Sequence, residues 1–237
     1  MNICMNEGHK LWRCLLFILL ALATISVPGC DRNPTGITTT YDAFNKWLRG
    51  FQVSDNEAAA PQLHKVGFTT QTMNLHAVEQ HKDNWCWAAC IQMVLSTKGI
   101  EVSQQDIVMK AFGTMEDRPA DPETIKRNLT EWPIRRGNQT VRLNVQIGFS
   151  TPSDHEIIQS LSKGTPMIVG IFLPDSRVGH ALVITAAAYV DTPGGPSIKH
   201  IILRDPGVNV DRDKLVCTSG AIKFVHMYYL VDEVESR

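Results

Sequence analysis

The sequence predicts an α+β fold, with a helical N-terminal half and an antiparallel β-sheet in the C-terminal half. Two observations lead to this prediction. Residues 86 to 129 carry apolar stretches bounded by helix starts and stops, whereas after Gly137 the chain turns to alternating and β-branched apolar runs. A run of helices followed by a run of strands is typical of an α+β layout.

The N-terminus has the features of an export signal. Lys10 and Arg13 precede an apolar run over residues 15–23 that is too short for a confident bilayer-spanning helix. A basic region, a short apolar run and small residues predict a signal peptide, here residues 1–29. The stretch Val27-Pro28-Gly29-Cys30 resembles the lipobox of bacterial lipoproteins. That resemblance implies a lipid-modified Cys30 and an anchor on the periplasmic side of the cell envelope, or secretion if the lipobox is not used.

Three cysteines remain in the exported body after signal removal and lipidation of Cys30, namely Cys86, Cys90 and Cys217. An odd number leaves at least one thiol unpaired, although exported proteins meet an oxidising environment. Cys90 and Cys217 could form a bridge and leave Cys86 free. Their separation in space cannot be read from the sequence, so the pairing stays open at this point.

Residues 30–66 are predicted to be a tether, in which residues 41–48 could form one short amphipathic helix. The folded domain is predicted for residues 67–237. Its helices are expected at residues 86–99, 103–113, 121–129 and 153–161. Glycines at 99 and 113 are good helix stops, and Pro122 occupies the favoured first turn of the third helix. The first of these helices is apolar on nearly every side, which predicts a buried central helix.

The strands of the second half are predicted at residues 141–147, 167–172, 182–189, 201–203 and 221–230. The first alternates between apolar and polar residues, and the others are apolar, β-branched runs. The formal net charge of −1 argues against a nucleic-acid partner, since phosphate binding requires a basic face. The length and composition leave room for one well-buried core with a small appendage. We expect a monomer.

The segment from Gln80 to Ala89 carries the strongest chemical motif. Cys86 opens the buried helix, where the positive end of the helix dipole favours a thiolate. Gln80 lies upstream and offers an amide donor that could stabilise an oxyanion together with the backbone N–H of Cys86. Taken alone, Cys86 is more readily interpreted as a buried structural thiol. The residues downstream change that interpretation.

Two further residues fit the needs of a thiol nucleophile. His180 follows a glycine and opens a β-branched run, which would hold its imidazole rigidly as a base. Asp205 follows the next strand, just before a Pro-Gly turn, and could accept the other imidazole N–H. Asp205 could also be a turn residue with no catalytic part, because aspartate is common in turns.

The order and spacing of these residues resemble the papain-like cysteine peptidases. A glutamine, five residues and then Cys-Trp at a helix start is how that family places its oxyanion-hole glutamine and nucleophile. The variant Trp-Cys-Trp-Ala-Ala is similar to a bacterial branch that includes effector proteases, and the Gln-to-Cys spacing is shared with bacteriocin-leader peptidases. The resemblance implies a papain-like fold and a catalytic triad of Cys86, His180 and Asp205, with Gln80 in the oxyanion hole. Papain itself has asparagine where this chain has Asp205.

The expected function is hydrolysis of peptide or isopeptide bonds in a protein or peptide substrate, without a metal or an organic cofactor. Two alternatives remain open. The same triad could transfer the acyl group to an amine, as an acyltransferase or transpeptidase does. The chain could also be a catalytically inactive, membrane-tethered binding module.

Overall fold

The computed structural model describes residues 30–31, 62–136, 138–172, 179–207 and 214–234. The helices among these residues are α1 (Thr70–Asn74), α2 (Cys86–Thr97), α3 (Gln104–Phe112), α4 (Pro122–Thr130) and α5 (Asp154–Ser162). The strands are β1 (Cys30–Asp31), β2 (His64–Gly67), β3 (Ile134–Arg136), β4 (Gln139–Gly148), β5 (Met167–Phe172), β6 (Gly179–Thr192), β7 (Gly195–Arg204), β8 (Lys214–Thr218) and β9 (Val225–Val234). No helix in this part of the chain is long and apolar enough to cross a bilayer.

Local sequence sets the ends of the helices. The side chain of Ser103 accepts a hydrogen bond from the backbone N–H of Asp106, whose carboxylate bonds back to Ser103, and Gly113 ends α3 in the left-handed region. Asp121 caps α4 in the same way, with Pro122 at the first helical position. The predicted second and third helices are therefore confirmed, and so is the start of the first at Cys86.

The strands form an antiparallel sheet in the order β1-β8-β7-β6-β5-β9-β4-β3, and β2 pairs with β6 beyond the end of β5. This confirms the predicted α+β class. The pairing of β2 also shows that the folded domain begins ahead of residue 67, where we expected the tether to end. Gly67 has φ +99°, and a Cβ there would lie 2.4 Å from the Thr185 carbonyl oxygen, so this close crossing requires glycine.

The two faces of the sheet are buried under different helices. Successive residues of β6 alternate between two cores, since Val183 belongs to the core that contains α2 and Ile184 to the core that contains residues of α5. This alternation is the period of two expected of a strand. The sheet therefore separates a larger core around α2 from a smaller one beneath α5.

One strand begins later than predicted. The apolar run from residue 221 starts as a 3-10 helix, Ser219–Phe224, and strand β9 begins only at Val225. Ala221 and Ile222 are buried in the smaller core from this helical turn. A short apolar run fits a buried turn as well as a strand, so its pattern could not tell the two apart.

The cysteines correct one expectation. Cys217 is disulfide-bonded, whereas Cys86 and Cys90 are free thiols, so a bridge between Cys90 and Cys217 is wrong. The physical reason is the sheet, because Cys90 lies in the core on one face and Cys217 in the core on the other. The predicted signal peptide and the helix at 41–48 lie outside the described residues.

Candidate active site

Cys86 is the first residue of α2, and it is partly exposed although the helix behind it is buried. Trp85 precedes it in a non-helical conformation and makes no side-chain cap hydrogen bond. The N-terminal N–H groups of a helix have no partner within the helix. The sulfur is therefore presented at the positive end of a helix that the surrounding core holds in place.

His180 and Asp205 meet at one end of the sheet. His180 is the second residue of β6, and Asp205 directly follows β7, the neighbouring strand. The Nε2 atom of His180 lies 2.7 Å from Oδ1 of Asp205. An ionised carboxylate can only accept hydrogen bonds, so the Nε2–H group of His180 donates to Asp205. The Nδ1 atom of the ring is then available to Cys86. The structure thus brings together Cys86, His180 and Asp205, the three residues proposed from the sequence.

The surroundings of His180 favour the imidazolium form. Burial by itself would lower its pKa, but hydrogen bonds to Asp205 and to Cys86, together with the negative charges of both partners, raise the pKa to about 10. A histidine that stays protonated at neutral pH is the partner that a thiolate requires.

Asp205 has a second hydrogen bond that fixes its own position. Its Oδ1 accepts the backbone N–H of Gly207 at 2.8 Å, which closes the Asp-Pro-Gly turn. The Oδ1 atom of Asp205 therefore both closes the turn and contacts His180. The next residue, Pro206, accepts the backbone N–H of Gln80 at 2.7 Å, so this turn also anchors the segment leading to Cys86.

Gln80 is nearly buried, and its amide supports the turn before α2. Its Nε2 lies 2.9 Å from the carbonyl oxygen of Lys82 and 2.8 Å from that of Asp83. Its Oε1 has no hydrogen-bond partner among the described residues. The amide donors are thus engaged by the backbone in this state, and a contact to an oxyanion would require at least one of them to turn toward the substrate.

Both tryptophans beside Cys86 hold a loop, a role that the sequence did not predict. The indole N–H of Trp85 donates to the Glu116 carbonyl at 2.8 Å, and that of Trp87 to the Arg118 carbonyl at 3.2 Å. Asp117 lies between these two acceptors in the sequence, and its carboxylate accepts the backbone N–H of Asn84 at 2.9 Å. We call residues 114–120 the wall loop.

A cavity of about 280 Å³ opens beside Cys86. Cys86, Trp87 and His180 line it together with Pro119 and Ala120 of the wall loop and apolar residues of α4, β5 and β9.

A comparison with family models identifies the chain. The model of the Peptidase_C39-like family matches residues 71–228, which span the site and most of the sheet. The chain belongs to the Peptidase_C39-like family. It is thus related to cysteine peptidases, whose substrates are proteins or peptides. No curated protein sequence matches it significantly.

Two solved structures are similar to this Peptidase_C39-like chain at low sequence identity. The peptidase domain of Streptococcus ComA, a bi-functional ABC transporter involved in quorum sensing, has 14% identity and a TM-score of 0.44, with 65% of this chain and 95% of that chain covered. UfSP from C. elegans has 15% identity and a TM-score of 0.46, with 78% of this chain and 36% of that chain covered.

Cys90 and His81, which lie close to Cys86 in the sequence, have environments that differ from that of Cys86. Cys90 lies one turn along α2 and is fully buried, and burial raises its pKa well above the ordinary value, so it is a poor candidate for the reactive thiol. His81 bonds through Nδ1 to the Gln105 side chain at 3.1 Å on the surface. His81 is therefore an exposed residue with a partner of its own.

Proposed function

We propose that this Peptidase_C39-like protein hydrolyses peptide or isopeptide bonds through a thioester acyl-enzyme, with Cys86 as nucleophile, His180 as acid and base, and Asp205 as the residue that orients His180. The observation that carries the proposal is the 2.7 Å hydrogen bond from His180 to Asp205, with Cys86 on the other side of the ring. A base oriented by a third group is the arrangement that nucleophilic catalysis uses.

The reaction proceeds in two steps. The Cys86 thiolate attacks the substrate carbonyl carbon, the C–N bond breaks, and the His180 imidazolium gives its proton to the leaving amine. In the second step His180 takes a proton from water, the hydroxide oxygen attacks the thioester, and the thiolate leaves as the acid is released. The Cys86 backbone N–H and the Gln80 amide are the donors proposed for the oxyanion in both steps.

The reactivity of the thiol tests this assignment directly. At mildly acidic pH, where a free thiol is almost wholly protonated, iodoacetamide should modify Cys86 far faster than it modifies free cysteine. Mass spectrometry of the digested protein locates the label and separates Cys86 from Cys90. A Cys86 rate equal to that of free cysteine at this pH would contradict an activated nucleophile.

Product analysis separates hydrolysis from acyl transfer. Peptide products gain one water upon hydrolysis and gain the mass of an added amine upon transfer, and Cys86→Ala should yield neither.

We also propose that the protein is exported to the cell envelope, because of its N-terminal segment. Carbonate-washed membrane and soluble fractions of cells expressing the full chain test that location.

A further inference from the structure

Gln104, the first residue of helix α3, has a completely buried polar side chain. A buried amide group is costly unless its polar atoms are hydrogen-bonded. An apolar side chain would fill the same space without that cost, so a glutamine at this position needs a specific reason. The reason lies in its hydrogen-bond partners.

The amide of Gln104 holds the peptide groups on both sides of Gln80. Its Oε1 accepts the backbone N–H of His81 at 2.9 Å, and its Nε2 donates to the carbonyl oxygen of Glu79 at 2.8 Å. The Nε2 group has a second acceptor in Oε1 of Gln92 on α2, at 3.2 Å. Both N–H donors and the oxygen of this amide are thus used.

The backbone N–H of Gln80 itself is held by a different part of the protein. It donates to the carbonyl oxygen of Pro206 at 2.7 Å, and Pro206 directly follows Asp205, which contacts His180. Helix α3 and the turn that carries Asp205 therefore hold the same short stretch of backbone. Gln80 is in this way placed relative to the residues proposed for the triad.

The side chain of Gln80 is held less completely than its backbone. Its Oε1 is buried without a hydrogen-bond partner among the described residues, and its Nε2 contacts the carbonyl oxygens of Lys82 and Asp83. An oxyanion contact requires one of these donors to turn while the backbone stays in place. Placement matters for such a donor, since a shift of about 1 Å can cost roughly a hundredfold in rate.

We propose that Gln104 is a positioning residue that fixes the backbone of Gln80 for oxyanion binding. The proposal rests on the proposed function and adds to it a residue outside the triad. Gln104 is fully buried, so it acts through Gln80 and not by contact with the substrate.

Gln104→Met in the full-length protein tests this role, because methionine has a similar length but lacks the amide. With peptide substrates we expect kcat to fall by about tenfold to a hundredfold, KM to change less than kcat, and iodoacetamide to label Cys86 at the wild-type rate. Gln104→Asn keeps an amide but is one methylene too short, and it should lower kcat in the same way. Gln105→Ala is the matched control with wild-type kcat expected, because this exposed neighbour bonds to the ring of His81 and not to its backbone.

A double-mutant cycle shows whether Gln104 acts through Gln80. In a Gln80→Ala background the proposed donor is already absent, so Gln104→Met should cause no further fall in kcat. A merely structural role would instead lower kcat by the same factor in both backgrounds. Melting temperatures identify any variant that does not fold, and the comparison then uses Gln104→Asn.

The outcomes separate the two proposals. If no peptide is cleaved above the Cys86→Ala background, the proposed function fails, and the positioning role with it. If peptides are cleaved but the folded Gln104 variants keep the wild-type kcat, only the positioning role is overturned. The same holds if the fall in kcat is equally large in the Gln80→Ala background.

A second inference concerns the disulfide of Cys217 and rests on the strand register. Because Cys86 and Cys90 are free, its partner within the chain must be one of the cysteines at positions 4, 14 and 30. The β1–β8 ladder places Cys30 directly opposite Cys217. Opposite residues of an antiparallel pair have Cα atoms about 4.5–5.5 Å apart, inside the range of about 4.4–6.8 Å that a disulfide needs.

We infer that Cys30 and Cys217 form this disulfide, which ties the start of the exported chain to strand β8. A sulfur in a disulfide cannot also carry the thioether-linked lipid of a lipoprotein. The inference therefore opposes our prediction that Cys30 is lipidated.

Mass spectrometry of the exported full-length product, digested without reduction, decides between these fates. A cross-linked peptide containing Cys30 and Cys217, together with the absence of acyl mass at Cys30, supports the inference. An acylated Cys30, or a different partner for Cys217, overturns it. Cys30→Ser supplies a second readout, since it should release one additional titratable thiol at Cys217 and leave the detergent-phase partitioning unchanged.

Discussion

At the scale of single residues, Asp205 combines two tasks that the sequence presented as alternatives. Its Oδ1 accepts the Gly207 backbone N–H, as a turn-forming aspartate does, and it also accepts the N–H of His180. The turn contact restricts the carboxylate, so the imidazole finds its acceptor already oriented. A single oxygen can do both because a carboxylate oxygen has two lone pairs.

Asp205→Asn tests the charge of this contact. The pKa of His180 is raised from 6.5 to about 10 in the folded protein, so folding takes up a proton between these values and stability should fall as pH rises through this window. The variant keeps the shape but removes one negative charge, so its unfolding free energy should fall less steeply with pH. Urea unfolding at a series of pH values measures the slope. Asp191→Asn, which alters an exposed pair with His64, is the control, and equal slopes in all three proteins would contradict the assignment.

Gln80→Ala tests the proposed oxyanion donor. Loss of one such donor lowers kcat by about 10²–10³-fold in well-studied enzymes, and we expect a fall of that order with alkylation of Cys86 retained. Gln159→Ala, which alters an exposed glutamine of α5, should leave kcat unchanged. If Gln80→Ala unfolds more easily but keeps kcat, the residue acts only on the Lys82–Asp83 turn.

At the scale of elements, helix α2 and the wall loop form one unit. The hydrogen bonds from Trp85 and Trp87 run from the helix start to backbone carbonyls, and Trp87 packs edge-on against Phe112 of α3 with centroids 5.7 Å apart. Tryptophan suits this place because its ring fills the core while its single N–H reaches a partner.

Trp87→Phe removes the indole donor and keeps an aromatic ring. We expect about 1–3 kcal/mol lower stability, because the Arg118 carbonyl loses its hydrogen bond in a partly buried position. Chemical denaturation measures this effect, and a free energy of unfolding equal to that of the wild type would show that the indole hydrogen bond does not stabilise the wall loop.

At the scale of the whole molecule, the sheet divides the protein into two cores with different content. The core on the α2 side includes Trp85, Trp87 and Cys90, whereas the core on the α5 side contains Cys217. The disulfide of Cys217 and the free thiol of Cys86 are therefore on opposite sides of the sheet. A disulfide and a free thiol can coexist in one domain when the sheet keeps the sulfurs apart.

Cys217→Ser should lower the free energy of unfolding without changing the reactivity of Cys86. Loss of a native disulfide typically costs about 2–5 kcal/mol, and we expect a fall of that size in the unfolding free energy. Iodoacetamide labelling of Cys86 should proceed at the wild-type rate. A phosphine reductant should destabilise the wild type to the same extent and have no further effect on the variant. Loss of Cys86 reactivity in a folded Cys217→Ser would show that the two sides are coupled.

Local patterns were sufficient for the elements whose ends are set by their own residues. Ser103 and Gly113 bound α3 by capping, and β5 is found at the predicted residues 167–172 because its buried run is clearly delimited. β2 and the 3-10 helix at Ser219–Phe224 could not be predicted in this way. Their backbone conformation depends on which partner strand or core they meet, and short runs carry too little periodicity to reveal it.

The sequence by itself determined the fold class, the start of helix α2 and the identity of Cys86, His180 and Asp205 as candidates, because these follow from periodicity and residue chemistry. Only the tertiary structure decided that His180 and Asp205 meet, that Gln80 is tied to the Pro206 carbonyl and that Cys90 cannot reach Cys217. The physical reason is that these contacts join residues far apart in the chain. Their distances are set by strand order and by the two faces of the sheet, neither of which is recorded in any local stretch of sequence.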